Sequence, residues 1–166
     1  MANSLNLTTF RFVLSHITKA CADIPEEQMR EQPHGVNPPV WILGHIITTT
    51  NTVLKVIGQP TVGPAEYRDW FGPNTKLDAM PAELPSKSQL LGHLSELSER
   101  ILVEVSNLTE DDLTKPNTLG FRPEQLPTMR DVFEVLLFTH PMLHVGQLST
   151  WRRLQGLPSY LVIAKK

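Results

Sequence analysis

The sequence predicts an all-α protein built as a four-helix bundle. Three observations carry that expectation. Four segments place apolar residues three and four positions apart, which is the spacing of one buried helical face. Residues that start and stop helices flank those segments. Most of the 14 prolines fall between the helical segments, where they interrupt nothing. Amphipathic helices with such connections bury their stripes against one another. At 166 residues the chain reads as a single domain, 1–166, long enough for a real core.

The first helix is expected from Ser4 to Ala22, with Ser4 as N-cap and Pro25 stopping the chain soon after. Leu7, Phe10, Val13, Leu14, Ile17 and Cys21 form its stripe, with Cys21 a small buried residue and His16 at the boundary. A polar connection over 23–37 leads to Asn37-Pro38-Pro39, where asparagine caps and proline is tolerated in the first turn. The second helix then runs through Trp41, Leu43, Ile46, Ile47, Val53 and Leu54 to Ile57, and Gly58 ends it in a left-handed cap.

In its middle stands Thr48-Thr49-Thr50-Asn51-Thr52, an unusual polar run in an apolar helix. Either the hydroxyls bond back to the preceding turn, or they line a pocket. Residues 59–85 make a long proline-rich crossover, pinned by Tyr67, Trp70 and Phe71 and long enough to leave the second and third helices parallel.

The third helix opens at Ser86, where Gln89 completes a capping box. Leu90, Leu94, Leu97 and Ile101 are on its buried face, and His93 is on the solvent side. Thr109 to Asp112 reads as a short capped turn, and 114–127 as irregular. The fourth helix, Thr128 to Leu154, begins with Thr128 as N-cap and Asp131 three later. Arg152 and Arg153 suit its C-terminal dipole, and Gly156 and Pro158 stop it.

Net charge is −2 and the pI is near 6.3, so there is no basic surplus to draw nucleic acid or an anionic membrane. The lone Cys21 cannot form an internal disulfide and fits a cytoplasmic setting. No basic start followed by an apolar run marks a signal peptide, and no uncharged apolar run reaches membrane-spanning length.

His140 and His144 are four apart in the last helix, so both rings leave one face. His45, in WILGHI, is the best third partner. Three neutral imidazoles bind zinc, nickel, copper or ferrous iron and leave positions open for water or substrate. No Asp or Glu lies between 32 and 65 or between 135 and 166. A bound ion would therefore keep its positive charge and favour an anionic exogenous ligand. The spacing alone leaves open a second reading, in which these are buried, hydrogen-bonded core histidines. Pro141, inside the pair, either kinks the helix or breaks it with His140 as cap. HPMLH has the histidine spacing of HExxH zinc proteases but lacks the glutamate base, which argues against a metalloprotease. Thr49 and Thr52 lie on or near the His45 face.

NPPVWILGH, followed by HPMLHVGQLSTWRRLQGLPS, resembles the DinB-like family. The resemblance covers essentially the whole chain. It implies an up-down-down-up four-helix bundle with the long crossover between helices 2 and 3. It implies a divalent metal, zinc or nickel, on His45, His140 and His144, and a homodimer. Relatives include S-transferases and isomerases that use a low-molecular-weight thiol, and others described as metal-dependent hydrolases. The expected function is a metal-dependent S-transferase acting on a small-molecule substrate. Hydrolysis or a non-catalytic metal-stabilised stress protein are the alternatives. Thr49, Thr52 and Gln147 are candidate pocket residues, and Arg152 or Arg153 a candidate partner for a carboxylate of the thiol.

Overall fold

In the computed structural model, which describes residues 3–76, 78 and 80–161, the helices are α1 (Leu7–Cys21), α2 (Pro39–Val56), α3 (Tyr67–Phe71), α4 (Lys87–Ser106), α5 (Glu110–Thr114), α6 (Met129–Glu134) and α7 (His140–Leu154). A π-helical turn, Val135–Thr139, joins α6 to α7 without a break. The fold is all-helical. An isolated β-bridge pairs Pro116 with Thr128. Met1 and Ala2 lie outside the described residues.

The long helices bury their apolar stripes in one core. α1 packs on α4 and α7, and α2 packs on α3, α4 and α7. Phe10, Ile17, Ile42, Leu43, Leu97 and Trp151 meet there with almost no exposure. Each predicted helix exists, but two predicted caps do not. Ser4 is not the first N-cap. Asn6 is, its side chain accepting the Thr9 N–H at 3.2 Å. Ser4 instead takes a hydrogen bond from Arg130. Asn37 does not cap α2 either. Pro38 holds that position with no side-chain bond, and the Asn37 amide turns to Gln147. Pro39 has no N–H, and the Val40 N–H that a cap would meet is taken by Met29 O at 3.0 Å.

The other boundaries follow the expected chemistry. Ser86 and Gln89 exchange both bonds of a capping box, as do Thr109 with Asp112 and Thr128 with Asp131. Gly58 and Gly156 have φ of 76° and 70°. At Gly58 the next N–H, of Gln59, reaches Leu54 O at 2.8 Å, closing a Schellman turn that a Cβ would strain.

The crossover from α2 to α4 is tied down by the polar run of α2. Asn51 donates to Val62 O and accepts the Val62 N–H, both at 2.9 Å. Thr48 donates to Tyr67 O at 3.2 Å, and the Trp41 indole donates to Thr75 at 2.8 Å. These bonds press α3 onto α2 so closely that a Cβ on Gly44 would stand 2.3 Å from the Phe71 ring. His93, read as a solvent-side residue, is half-buried and meets the Tyr67 hydroxyl at 3.1 Å.

Candidate metal centre

His45 lies mid-way along α2, and His140 and His144 lie in the first turns of α7, on the faces where the two helices pack. Their side chains meet. The three offer nitrogens within 4.8 Å of one another. His140 Nε2 is 3.2 Å from His45 Nε2 and 3.1 Å from His144 Nε2.

The other ring nitrogens decide what those Nε2 atoms carry. His45 Nδ1 is 2.7 Å from Phe71 O, a carbonyl that only accepts, so Nδ1 holds the proton. His144 Nδ1 is 3.1 Å from Gln147 Oε1 and likewise donates. Thr49 gives its own hydrogen to His45 O at 2.7 Å, and its Oγ1 lies 3.4 Å from His140 Nδ1. A neutral imidazole has one N–H. The Nε2 atoms of His45 and His144 therefore present lone pairs to His140 Nε2, and the three nitrogens share one small space, an arrangement compatible with a bound cation. These outer partners also fix ring orientation, as they do around metal-bound histidines.

The geometry fits an ion. Zinc-like bonds to imidazole of about 2.0–2.1 Å allow nitrogen pairs up to about 4.2 Å apart, and 3.1–3.2 Å corresponds to ligand angles of about 100°. The two short spans meet that condition. The three nitrogens lie within 4.8 Å of one another, so a span at that limit closes by at least about 0.6 Å for one ion to reach all three.

Electrostatics points the same way. His45 and His144 are 5% and 6% exposed. Burial, then the nearness of His144 and His45, pushes His140 down to about 3. Burial, then His45, pushes His144 down to about 4 against the opposing bond from Gln147. Burial also lowers His45, with the Phe71 carbonyl opposing. All three are neutral, ligand-ready imidazoles at pH 7. Trp41 stacks on His45 with ring centres 4.4 Å apart and planes 11° from parallel, walling one side of the site.

Pro141 produces neither a cap at His140 nor a break. The π turn absorbs it. The His140 N–H reaches Val135 O, five residues back. The extra residue in that turn places Pro141 at the start of α7.

A pocket of about 410 Å³ opens on the His45 and His140 side, and Thr49 and Thr52 are in its wall. Both explanations of the threonine run therefore hold, and at Thr49 they coincide. Thr49 bonds back to its own helix while lining the pocket, and Asn51 and Thr48 hold the crossover. Gln147 orients His144. Arg152 sits elsewhere. It is 2% exposed, ion-paired with Asp23, and donates to Ala20 O and Pro158 O, so its guanidinium is committed to the core. Arg153 is exposed and faces Thr150. Neither arginine is in the wall of the histidine pocket.

Four contributors lay beyond the sequence reading. The Phe71 carbonyl is backbone and leaves no residue signature. Trp41 is four before His45 on one helix face, a spacing that could have flagged it. Leu119 and Phe121, from the irregular segment, form the outer pocket wall; apolar residues in a proline-rich loop were the available sign.

The chain matches the model of the DinB superfamily over residues 9–148. Among solved structures it is similar to a conserved protein from Enterococcus faecalis, with a TM-score of 0.71 and 12% identity, covering 89% of this chain and 93% of that one. It is also similar to a protein from Streptococcus pneumoniae, with a TM-score of 0.64 and 15% identity, covering 93% and 94%. At those identities the likeness is one of fold. No curated protein matches the sequence. The chain belongs to the DinB superfamily.

Proposed function

We propose that this DinB-superfamily protein holds a divalent ion, zinc or nickel, on His45, His140 and His144, and is a metal-dependent S-transferase using a low-molecular-weight thiol. The observation that carries the reading is the convergence of the three Nε2 atoms, with the Nδ1–H of His45 and of His144 each held by an oxygen. When bound, the ion supplies a Lewis acid that keeps a thiolate available at neutral pH.

The chain's own residues do the rest. Trp41 and the buried rings exclude water from one side. Thr49, Gln147 and the Phe71 carbonyl hold the ligand rings in place. Thr52 offers a hydroxyl in the pocket wall. None of the pocket-lining residues is acidic, so nothing there offsets the charge of an ion on three neutral ligands, and an anionic sulfur donor suits it. The same lack of a carboxylate base in the lining weighs against the hydrolytic alternative.

The reading extends to the assembly. The long helices form an up-down-down-up bundle in one domain over 1–166, with the crossover between α2 and α4 as the long connection. The protein works as a cytoplasmic homodimer on a small molecule and binds no nucleic acid. Among the described residues no helix is long and apolar enough to cross a membrane. Sedimentation at micromolar concentration tests the dimer, and a monomer mass removes it. The test of activity is conjugation of a thiol to electrophiles by zinc- and nickel-loaded protein. Turnover that disappears in a His140→Ala variant supports the proposal. No turnover across several thiols and electrophiles overturns it.

A further inference from the structure

The pocket beside the histidines has an unusual composition for a site expected to handle charged thiols. Its wall is Pro73, Leu119, Phe121, Val132, Val135 and Leu136, completed by Thr49, Thr52, His45 and His140. No Lys, Arg, Asp or Glu is in that lining. The four polar members are neutral, and Thr49 already spends its hydrogen on its own helix. Only Thr52 is a free hydroxyl handle, with no side-chain hydrogen bond among the described residues. At about 410 Å³ the pocket is in the size range of small-molecule sites, roughly 300–1,000 Å³.

Its outer wall is held ready. Asn117 gathers the loop by donating to Phe121 O and Leu126 O, both at 2.9 Å, and by accepting the Leu119 N–H at 2.9 Å. That fold turns Leu119 and Phe121 to the pocket while leaving them 38% and 47% exposed. Exposed apolar side chains gathered at the rim of a concave site are the mark of a surface that a ligand covers.

We infer that this pocket takes a neutral, largely apolar small molecule, held by its hydrocarbon body against Leu119, Phe121, Val132, Val135 and Leu136. Its one polar group reaches Thr52 and the space between the His45 and His140 rings. In the metal-free protein a carboxylated or cationic body is disfavoured, because no side chain in the lining supplies a counter-charge. The inference rests on the proposed metal site for the inner end of the ligand. In the transferase reading the apolar pocket belongs to the electrophile, and the charged parts of the thiol lie outside it.

The test separates the pocket from the metal. Metal-free protein with labelled methyl groups is titrated with 1-butanol, 1-hexanol, hexanoate and hexylammonium, and the shifts of Leu119, Val132, Val135 and Leu136 are read. Hexanol is expected to bind about fifteenfold tighter than butanol, from about fourfold per methylene, and at least about tenfold tighter than either charged analogue. Phe121→Ser, at an exposed position, is expected to weaken hexanol about tenfold through lost apolar contact. Equal affinity for hexanol and either charged analogue, or no dependence on chain length, overturns the inference. Cobalt absorption, measured separately, reports the three-histidine site. Hexanol binding without cobalt binding removes the metal reading and supports the pocket's preference.

Discussion

Replacing Gly44 by alanine probes how the fold builds the site. An alanine Cβ would stand 2.3 Å from two Phe71 ring carbons and 2.6 Å from a third. Ordinary carbon contacts need about 3.4 Å or more, so the ring must retreat by about 1 Å in a core that is already close-packed. Phe71 is fully buried, and overpacking of that kind costs about 1–3 kcal/mol. The same shift drags the Phe71 carbonyl from His45 Nδ1, now 2.7 Å away. Losing such an outer partner lowers metal affinity by about 10–100-fold. The expected result is therefore a lower urea midpoint together with weaker zinc binding, measured by competition with a chromophoric chelator. Gly92→Ala is the control. It lies in α4 with nothing within 4 Å of the new Cβ, and alanine there stabilises by up to about 1 kcal/mol from helix propensity alone. If Gly44→Ala behaves like Gly92→Ala in both assays, the claim that α3 is clamped on α2 to orient His45 is refuted.

Gln147→Leu removes the acceptor of His144 Nδ1 at similar side-chain size; zinc affinity should fall by about 10–100-fold and metal-free stability by about 1–3 kcal/mol as the buried N–H loses its partner, and an unchanged affinity argues against the role of Gln147. Acid should destabilise the metal-free protein. The site histidines titrate lower folded than their ordinary 6.5, at about 3 for His140 and about 4 for His144. Below pH 6.5 the unfolded chain thus binds protons that the folded chain refuses, and stability falls as pH drops from 6.5 toward 4. Urea unfolding across that range should show a shallower loss in a His140→Gln, His144→Gln variant, and identical slopes would contradict the burial argument. Arg152→Leu should cost roughly 2–4 kcal/mol by stranding Ala20 O and Pro158 O, yet leave zinc affinity intact. A loss of zinc binding in folded Arg152→Leu protein would return this arginine to the site.

The helices were legible because three- and four-residue apolar spacing and capping chemistry act over one or two turns. Ser86 with Gln89, Thr128 with Asp131 and the glycines at 58 and 156 are complete signals within six residues. The three histidines were legible as types and spacing, but their convergence depends on α2 packing against α7, which no local pattern states. Arg152 shows the limit. Its place near the end of α7 suited both a ligand contact and the helix dipole, and only the approach of Asp23 at the end of α1 commits it to the core. The caps at Ser4 and Asn37 failed for a related reason. Each residue is a good capping type, but Arg130 and Gln147 are partners from distant parts of the chain. The π turn before Pro141 was hidden too, because one added residue changes the hydrogen-bond register without changing the apolar pattern.

The central claim is that His45, His140 and His144 hold one divalent ion. Metal content by mass spectrometry, on untagged protein beside a His45→Ala, His144→Ala double variant, tests it most directly. The account predicts close to one equivalent in the wild type and essentially none in the variant. Wild-type protein that stays metal-free after soaking with zinc and with nickel, while folded, would contradict it.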